Sequence, residues 1–357
     1  MRTANGDTGN SARLSGLQGL RFISFLLIFL NHSFWYLGIS KIFDFGARGV
    51  EIFFVLSGYL VAYNYSDREF DDSLKGCFSY AYKKVKKFYL LHFITFILFL
   101  YNPLMQCIRG GLTSAEKHTL LINSILNITL LKSWYFPSAF SLNGVTWFLS
   151  TIIFAYLLVP KTVMLLRKRD QSFYIVLFSF LLITKMILDT YGYRFPHTFH
   201  AFSLYTNPAY RFQDFLLGYV FYMAAKGTLV KLAGNMHKIM EVWIPLAYVM
   251  TCFWFNNKIW IPAQFILLTC LLIYIISLES TFYNKILSNK LFELLGNSSF
   301  EMFILHTLII RYVNDLWRFL GMRPKGLIFW GTSLVITILV SLIVHEKPWK
   351  RKNRELV

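Results

Sequence analysis

Apolar stretches long enough to cross a membrane recur along the chain, with short polar segments between them. A helix needs roughly 20 mostly apolar residues to span the hydrocarbon core of a bilayer, which is about 30 Å thick. No Gly-, Ser- or Pro-rich linker divides the chain. Ten stretches are apolar and long enough to span: residues 20–39, 49–65, 88–108, 146–166, 172–190, 208–225, 239–256, 259–279, 299–317 and 327–345. The pattern predicts an all-α polytopic membrane protein with about ten transmembrane helices in a single bundle.

Segment 119–136 is apolar but departs from this pattern. It is short, and Asn123, Asn127 and Lys132 interrupt it. A spanning helix would place these polar side chains in lipid, which is costly. We therefore predict a helix that lies at the membrane interface, or a re-entrant piece.

The distribution of Lys and Arg predicts the orientation of the bundle. With the N-terminus inside, 23 of the 36 basic residues fall in cytosolic segments, ten fall outside and three lie within spans. Short loops on the cytoplasmic side carry such an excess, so the sequence predicts N-in and C-in. Counting segment 119–136 as a span would place the basic cluster 161–169 outside and reverse this agreement.

Composition supports the membrane class and changes how the net charge is interpreted. Only 15% of residues are charged and 56% are hydrophobic, whereas a soluble domain averages about 25% charged residues. The net charge of +18 follows mostly from the basic loops, so we expect membrane lipids, and no nucleic acid, as their partners. The cysteines show no paired spacing, and we expect neither a disulfide framework nor a metal site among them: Cys77, Cys107, Cys252 and Cys270.

Two ionisable residues stand out at the start of the bundle. His32 interrupts an otherwise apolar first span, and an ionisable side chain within a span marks a functional site by default. Glu51 opens the next span, across the short loop 40–48. A histidine and a carboxylate can form a general base and its orienting partner. The alternatives are a histidine satisfied by a neighbouring helix and a glutamate wetted by the outer interface.

Basic residues suggest a second site. Arg21 precedes His32 by eleven residues, so both lie on one helix face about 16 Å apart. The run from Lys83 to Lys87 holds four lysines. It is either a lipid anchor before a span or a patch that binds the phosphates of a nucleotide-bearing cofactor, with Lys84 and Lys87 as point charges.

Charged residues inside later spans come with partners at helical spacing. Lys185 with Asp189, and Arg211 with Asp214, are predicted to neutralise each other. His306 also needs a polar neighbour within its span.

Several segments together resemble acyltransferase family 3, a family of integral membrane enzymes that transfer acyl groups to extracytoplasmic glycans and related acceptors. The most specific is Gly49-Val50-Glu51-Ile52-Phe53-Phe54-Val55-Leu56-Ser57-Gly58, which is similar to the family's G-V-D/E-x-F-F-V-L-S-G motif. The others, in order, are residues 17–23 with His32, the basic run 83–89, residues 146–150 with Tyr156 and Pro160, residues 211–218, residues 296–306, and residues 346–348. Gln18, Lys84, Lys87 and Leu90 depart from the family pattern, which has paired arginines where the lysines stand.

The resemblance implies roles for particular residues. His32 would be the catalytic histidine, as general base or transient acyl carrier, with Glu51 orienting it. Arg21, Lys84 and Lys87 would hold the phosphates of acetyl-CoA or another acyl-CoA, and no metal is implied. Further residues are substrate-binding or structural: Ser57, Trp147, Ser150, Arg211 and His306.

The same resemblance implies a setting. Residues 12–350 would form the membrane acyltransferase domain, between a cytosolic tail at 1–11 and a basic tail at 351–357. The expected reaction is O-acetylation of a glycan or lipid-linked saccharide at a bacterial cytoplasmic membrane. Two alternatives stay open: an acyltransferase acting on a small lipid, peptide or antibiotic acceptor, and a transporter that uses the Arg21–His32 face as an ion path. The sequence sets no oligomeric state.

Overall fold

The structure is a computed structural model, and it describes residues 5–38, 45–194, 204–254 and 261–346. Of residues 5–14, 45, 193–194, 227–237, 253–254 and 261–262 it describes the backbone alone. The described residues are all-helical, with 84% of them in helix. The predicted basic tail, 351–357, lies outside the described residues.

The helices follow one another with short connections. They are α1 (Asn5–Leu37), α2 (Phe45–Tyr65), α3 (Leu74–Val85), α4 (Tyr89–Ile108), α5 (Ser114–Ile128), α6 (Phe136–Ala139), α7 (Trp147–Leu166), α8 (Gln171–Arg194), α9 (Pro208–Trp254), α10 (Ile261–Ile276), α11 (Phe282–Leu287), α12 (Lys290–Asn297), α13 (Ser299–Phe319) and α14 (Leu327–Glu346). Short 3-10 turns at Lys132–Trp134 and Gly144–Thr146 lie on either side of α6. Helix α1 already begins within the predicted tail 1–11, because extending an existing helix costs far less than starting one.

Five stretches in the described residues are long and apolar enough to cross a membrane, which supports a multi-pass membrane protein. They are Ser15–Leu37, Tyr89–Ile108, Gly144–Leu166, Gln171–Gly192 and Leu327–Glu346. Helices α2 and α13 match the predicted spans 49–65 and 299–317 in position but carry more polar residues. Glu51 and Glu301 among them face the protein interior, at 2% and 3% exposure, whereas Asp315 and Arg318 near the end of α13 are exposed. The count of ten spans and the N-in, C-in orientation stay predictions.

Helix α9 differs from the prediction. The sequence predicts separate spans at 208–225 and 239–256, whereas the structure has one helical element over Pro208–Trp254. The residues between the two predicted spans contain no proline and several good helix formers, so helical hydrogen bonding continues through them. The predicted loop between these spans is therefore wrong.

Close packing of α2 against α9 sets the centre of the bundle. A Cβ atom on Gly58 would overlap the carbonyl oxygen of Phe215, and one on Gly218 would overlap that of Val55. Small residues at such crossings let helix backbones approach within a membrane. This crossing holds the middle of α2 in place, and with it the residues that line the site.

A buried charge cluster joins α8 to α9. The Nζ of Lys185 lies 2.9 Å from Asp214, and the guanidinium of Arg211 donates to the same carboxylate at 2.8 Å. The predicted Arg211–Asp214 pair is confirmed, whereas Lys185, predicted to pair with Asp189, forms its direct ion pair with Asp214. The hydroxyl of Tyr210 donates instead to Asp189, because packing of α8 on α9 brings Asp214 within reach of two cations.

The interrupted segment 119–136 forms α5 and the turns after it. Helix α5 has 15 residues, so it measures about 22 Å and is shorter than the bilayer core. Lys132 is fully buried after it, and its Nζ donates to Asn127 Oδ1, the carbonyls of Ser141 and Asn143, and Thr146 Oγ1 at 2.9–3.2 Å. This network holds the segment folded back against the start of α7.

Candidate active site

A cavity of about 360 Å³ lies where α1, α2, α3, α7 and α13 meet, and it is called the basic cavity below. Its cations are Arg21, Lys84 and Lys87, and Ser57 and Tyr156 line its wall. The structure therefore brings the three predicted phosphate-binding residues together in one cavity. Arg21 also donates to the side chain of Gln18 at 3.0 Å.

The corner between α3 and α4 divides the lysine run between two surfaces. Lys84 and Lys87 line the basic cavity. Lys86 instead lines a separate, mostly apolar pocket of about 430 Å³, with Tyr82 and Phe93. Lys84 and Lys87 are thus placed where they could bind phosphates, whereas Lys86 is placed where it could anchor the segment to lipid.

The surroundings of Lys84 and Lys87 change their acidity. Burial and the nearby Arg68 lower the pKa of Lys84 from its ordinary value. Burial and the neighbouring ammonium of Lys84 lower the pKa of Lys87. Glu301 and His345 also line this cavity, and they lie 3.3 Å apart. Neighbouring cations favour loss of a proton from a lysine, and an anionic ligand would relieve their repulsion.

A second cavity of about 300 Å³ lies toward the other end of α1, and it is called the histidine cavity below. His32 lines it and is exposed. The sequence placed this side chain within an apolar span, but the structure opens it to a cavity. Asn31, Tyr205 and Thr307 also line this cavity; neither a motif nor a helical pattern had singled them out.

His306 is the polar partner of His32. Its Nε2 lies 3.2 Å from His32 Nδ1, and its Nδ1 lies 2.8 Å from the carbonyl oxygen of Phe303. The carbonyl oxygen of Ile28 lies 2.9 Å from the same His32 Nδ1.

These contacts assign the tautomers. A carbonyl oxygen only accepts, so His306 Nδ1 carries the hydrogen and its Nε2 carries a lone pair. Two acceptors, the carbonyl of Ile28 and His306 Nε2, then converge on His32 Nδ1, which must also carry a hydrogen. The basic lone pair of His32 is therefore on Nε2.

Glu51 lies elsewhere. Its carboxylate accepts from Arg48 at 2.6 Å and from Thr269 Oγ1 at 3.3 Å. The prediction that Glu51 orients His32 is corrected by these contacts, because α10 brings Thr269 to the carboxylate while α13 brings His306 to His32. A catalytic role for Glu51 stays a prediction.

The two cavities come within about one helical turn of each other. Three helices each contribute one residue to each cavity, and the two residues are adjacent or about one turn apart. The residues that line the histidine cavity are Val50 on α2, Trp147 on α7 and Phe303 on α13. The corresponding residues that line the basic cavity are Phe53, Phe148 and Phe300. One turn of helix rises about 5.4 Å. A group entering from the basic cavity would therefore cross only a thin layer of side chains to reach His32.

The remaining predicted site residues lie around these cavities. The hydroxyl of Ser57 donates to the carbonyl of Phe53 at 2.6 Å, and Trp147 packs on Tyr205 with ring centroids 5.0 Å apart. Ser150 is buried and accepts from the backbone N–H of Ser133. Arg211 belongs to the α8–α9 charge cluster.

These features define a class of protein: a helical membrane protein in which a cation-lined cavity and a histidine-lined cavity lie about one helical turn apart inside the bundle. The chain matches the acyltransferase-domain model of acyltransferase family 3 over residues 14–346. The protein therefore belongs to acyltransferase family 3 and is a membrane acyltransferase. The predicted resemblance is confirmed. No curated protein and no solved structure matches the chain.

Proposed function

We propose that the protein transfers an acetyl group from acetyl-CoA, bound in the basic cavity, to a hydroxyl of an extracytoplasmic glycan or lipid-linked saccharide in the histidine cavity. The observation that carries the proposal is the closeness of the two cavities, one lined by three cations and the other by His32, which His306 contacts from the buried side. The basic cavity faces the cytosol of a bacterial cell and the histidine cavity faces outward, in keeping with the charge bias of the loops.

The donor end is suited to anions. Coenzyme A carries phosphate groups, and Arg21, Lys84 and Lys87 supply positive charge to one cavity. Lysines act as point charges and lack the fork with which arginine holds a phosphate in two bonds. Binding through Lys84 and Lys87 should therefore depend strongly on ionic strength.

The chemistry falls to His32. Its Nε2 accepts the proton of the acceptor hydroxyl while the oxygen bonds to the thioester carbonyl carbon. The carbon–sulfur bond then breaks, and the CoA sulfur leaves as a thiolate that takes up a proton. A stepwise route, in which Nε2 first takes the acyl group and then passes it to the hydroxyl, uses the same lone pair. His306 Nε2 accepts from His32 Nδ1 throughout and stabilises the charged ring.

Sealed vesicles made from the native membrane test the reaction with the acceptors that this membrane itself carries. Radiolabelled acetyl-CoA added outside inverted vesicles should lead to labelled, non-CoA product in the lumen, and right-side-out vesicles should give none. His32→Ala should lower transfer by roughly 10²–10⁴-fold, the usual contribution of a general base. Retention of more than about a tenth of the activity with normal expression would remove His32 from the mechanism.

The divided lysine run supplies a matched control for the donor site. Lys84→Ala/Lys87→Ala should raise the KM for acetyl-CoA, with a larger effect at low salt than at high salt. Lys86→Ala removes a charge from the same corner but outside the basic cavity, and it should leave that KM unchanged. Equal effects of the two changes would assign the whole run to membrane anchoring.

A further inference from the structure

We infer that Phe53, Phe148 and Phe303 form a gate between the basic cavity and the histidine cavity, which is closed to solutes at rest and admits only a short acyl end. The inference deepens the proposed function and rests on it for the identity of the substrate. The barrier itself rests on the geometry of the three rings.

The three rings touch one another. Their centroids are 6.1 Å apart for Phe53 and Phe148, 6.2 Å for Phe53 and Phe303, and 5.2 Å for Phe148 and Phe303. Aromatic rings in contact have centroids about 4.5–7 Å apart. Phe53 and Phe148 line the basic cavity and Phe303 lines the histidine cavity, so the contact between the rings is the barrier between the two spaces.

The three rings come from three different helices, α2, α7 and α13. The passage can open by movement of the side chains alone, without movement of a helix. Rotation of a side chain is enough, and such rotations need no backbone rearrangement. Further packing limits how far the gate can open. The ring of Phe148 is also packed on Phe54, with centroids 4.6 Å apart. A slender thioester end could displace one ring, whereas a long or branched acyl chain would have to displace several packed rings at once.

Phe303 ties the gate to the reacting histidines. Its ring is part of the gate, and its backbone carbonyl accepts the hydrogen bond from His306 Nδ1. One turn of α13 thus carries both the last ring before the histidine cavity and the residue that supports His32. Opening through Phe148 or Phe53 leaves this support undisturbed, so we expect those two rings to move first.

Cysteine labelling tests the barrier without any substrate. The native cysteines are first replaced by alanine: Cys77, Cys107, Cys252 and Cys270. Thr307→Cys then reports on the histidine cavity and Ser57→Cys on the basic cavity. Each is exposed to a membrane-impermeant methanethiosulfonate in vesicles of both orientations, and the orientation that labels Thr307→Cys defines the histidine side.

With the gate intact, Ser57→Cys should stay unlabelled from the histidine side. Adding Phe148→Ala should raise its labelling from background to the level of Thr307→Cys, since this change removes the ring that contacts both Phe53 and Phe303. Phe329→Ala is the matched control. Phe329 is fully buried between Tyr36 and Trp317, so its loss makes a comparable void that joins no cavities. Two results would overturn the gate. One is labelling of Ser57→Cys from the histidine side while all three gate rings are present. The other is no increase in that labelling when Phe148→Ala is added.

Chain length gives a second readout. Transfer from acetyl-, butyryl- and octanoyl-CoA in inverted vesicles should fall steeply with length, and Phe148→Ala should flatten that fall. If the Phe148→Ala protein does not fold into the membrane, Phe148→Leu is used for the same measurement. The two proposals fail separately: labelling as expected without transfer from any acyl-CoA rejects the function and keeps the gate, whereas transfer with no length dependence in either protein rejects size selection by these rings.

Discussion

Replacing His306 by phenylalanine separates the support of His32 from the packing around it. The ring of His306 lies against Phe25 and Phe29, with centroids 5.9 and 6.2 Å away, and phenylalanine keeps an aromatic ring at this place, although a somewhat larger one. What it loses is the pair of nitrogens. The carbonyl of Ile28 still accepts from His32 Nδ1 at 2.9 Å, so the tautomer of His32 should survive the change.

The expected loss of kcat in His306→Phe follows from the hydrogen bonds that His32 keeps. With the Ile28 carbonyl still in place, the resting enzyme loses little. The charged imidazolium formed during transfer loses one hydrogen bond, and a hydrogen bond to a charged group contributes about 1.5–3 kcal/mol. Since about 1.4 kcal/mol corresponds to a factor of ten in rate, His306→Phe should lower kcat by roughly 10- to 150-fold. The KM for acetyl-CoA should not change, because His306 does not line the basic cavity.

The assay is transfer of radiolabelled acetyl in inverted vesicles, with kcat and KM measured separately and with thermal unfolding in detergent as the check on folding. Glu51→Gln is the companion variant. It leaves Arg48 without its ion-pair partner, and loss of one partner of a buried pair costs up to about 3–5 kcal/mol, so it should lower stability more than kcat. A folded Glu51→Gln protein with a hundredfold lower kcat, beside a His306→Phe protein with more than half its activity, would refute the assignment of His306 as the supporting residue.

Two further predictions concern the donor site and the helix crossing. Because burial and Arg68 lower the pKa of Lys84, its charge is present at low pH and is lost as the pH rises through that lowered value. The KM for acetyl-CoA should therefore rise at a lower pH than an ordinary lysine would give. Lys84→Arg should make this rise smaller, since arginine stays charged while the pKa of Lys87 is still lowered; an unchanged profile in Lys84→Arg would contradict this. Gly218→Ala places a Cβ on the carbonyl of Val55 and should cost about 1–3 kcal/mol in the free energy of unfolding. Gly331→Ala on α14 meets nothing within 4 Å and should be neutral or stabilising by about 0.5–1 kcal/mol, so equal losses in the two proteins would argue against close packing of α2 on α9.

Much of the architecture is legible in the sequence because it depends on neighbours along the chain. Apolar length predicts spans such as 88–108 and 327–345, and the structure has helices α4 and α14 there, each long and apolar enough to cross a membrane. Helical spacing alone places Arg21 and His32 on one face of α1. The same local reasoning fails at 226–238, where the sequence predicts a break between two spans but no proline ends the helix.

The site was decided by contacts between residues far apart in the chain. His32 and His306 are separated by 274 positions, and the choice of His306 over Glu51 as partner depends on how α13 and α10 pack beside α1 and α2. The lysines at 84, 86 and 87 look alike in sequence, yet the corner after α3 turns two of them into the basic cavity and one away from it. Phe53, Phe148 and Phe303 look like ordinary core residues until three helices bring their rings together. Periodicity along one helix fixes which face a residue occupies, but only the packing of helices against one another fixes what that face meets.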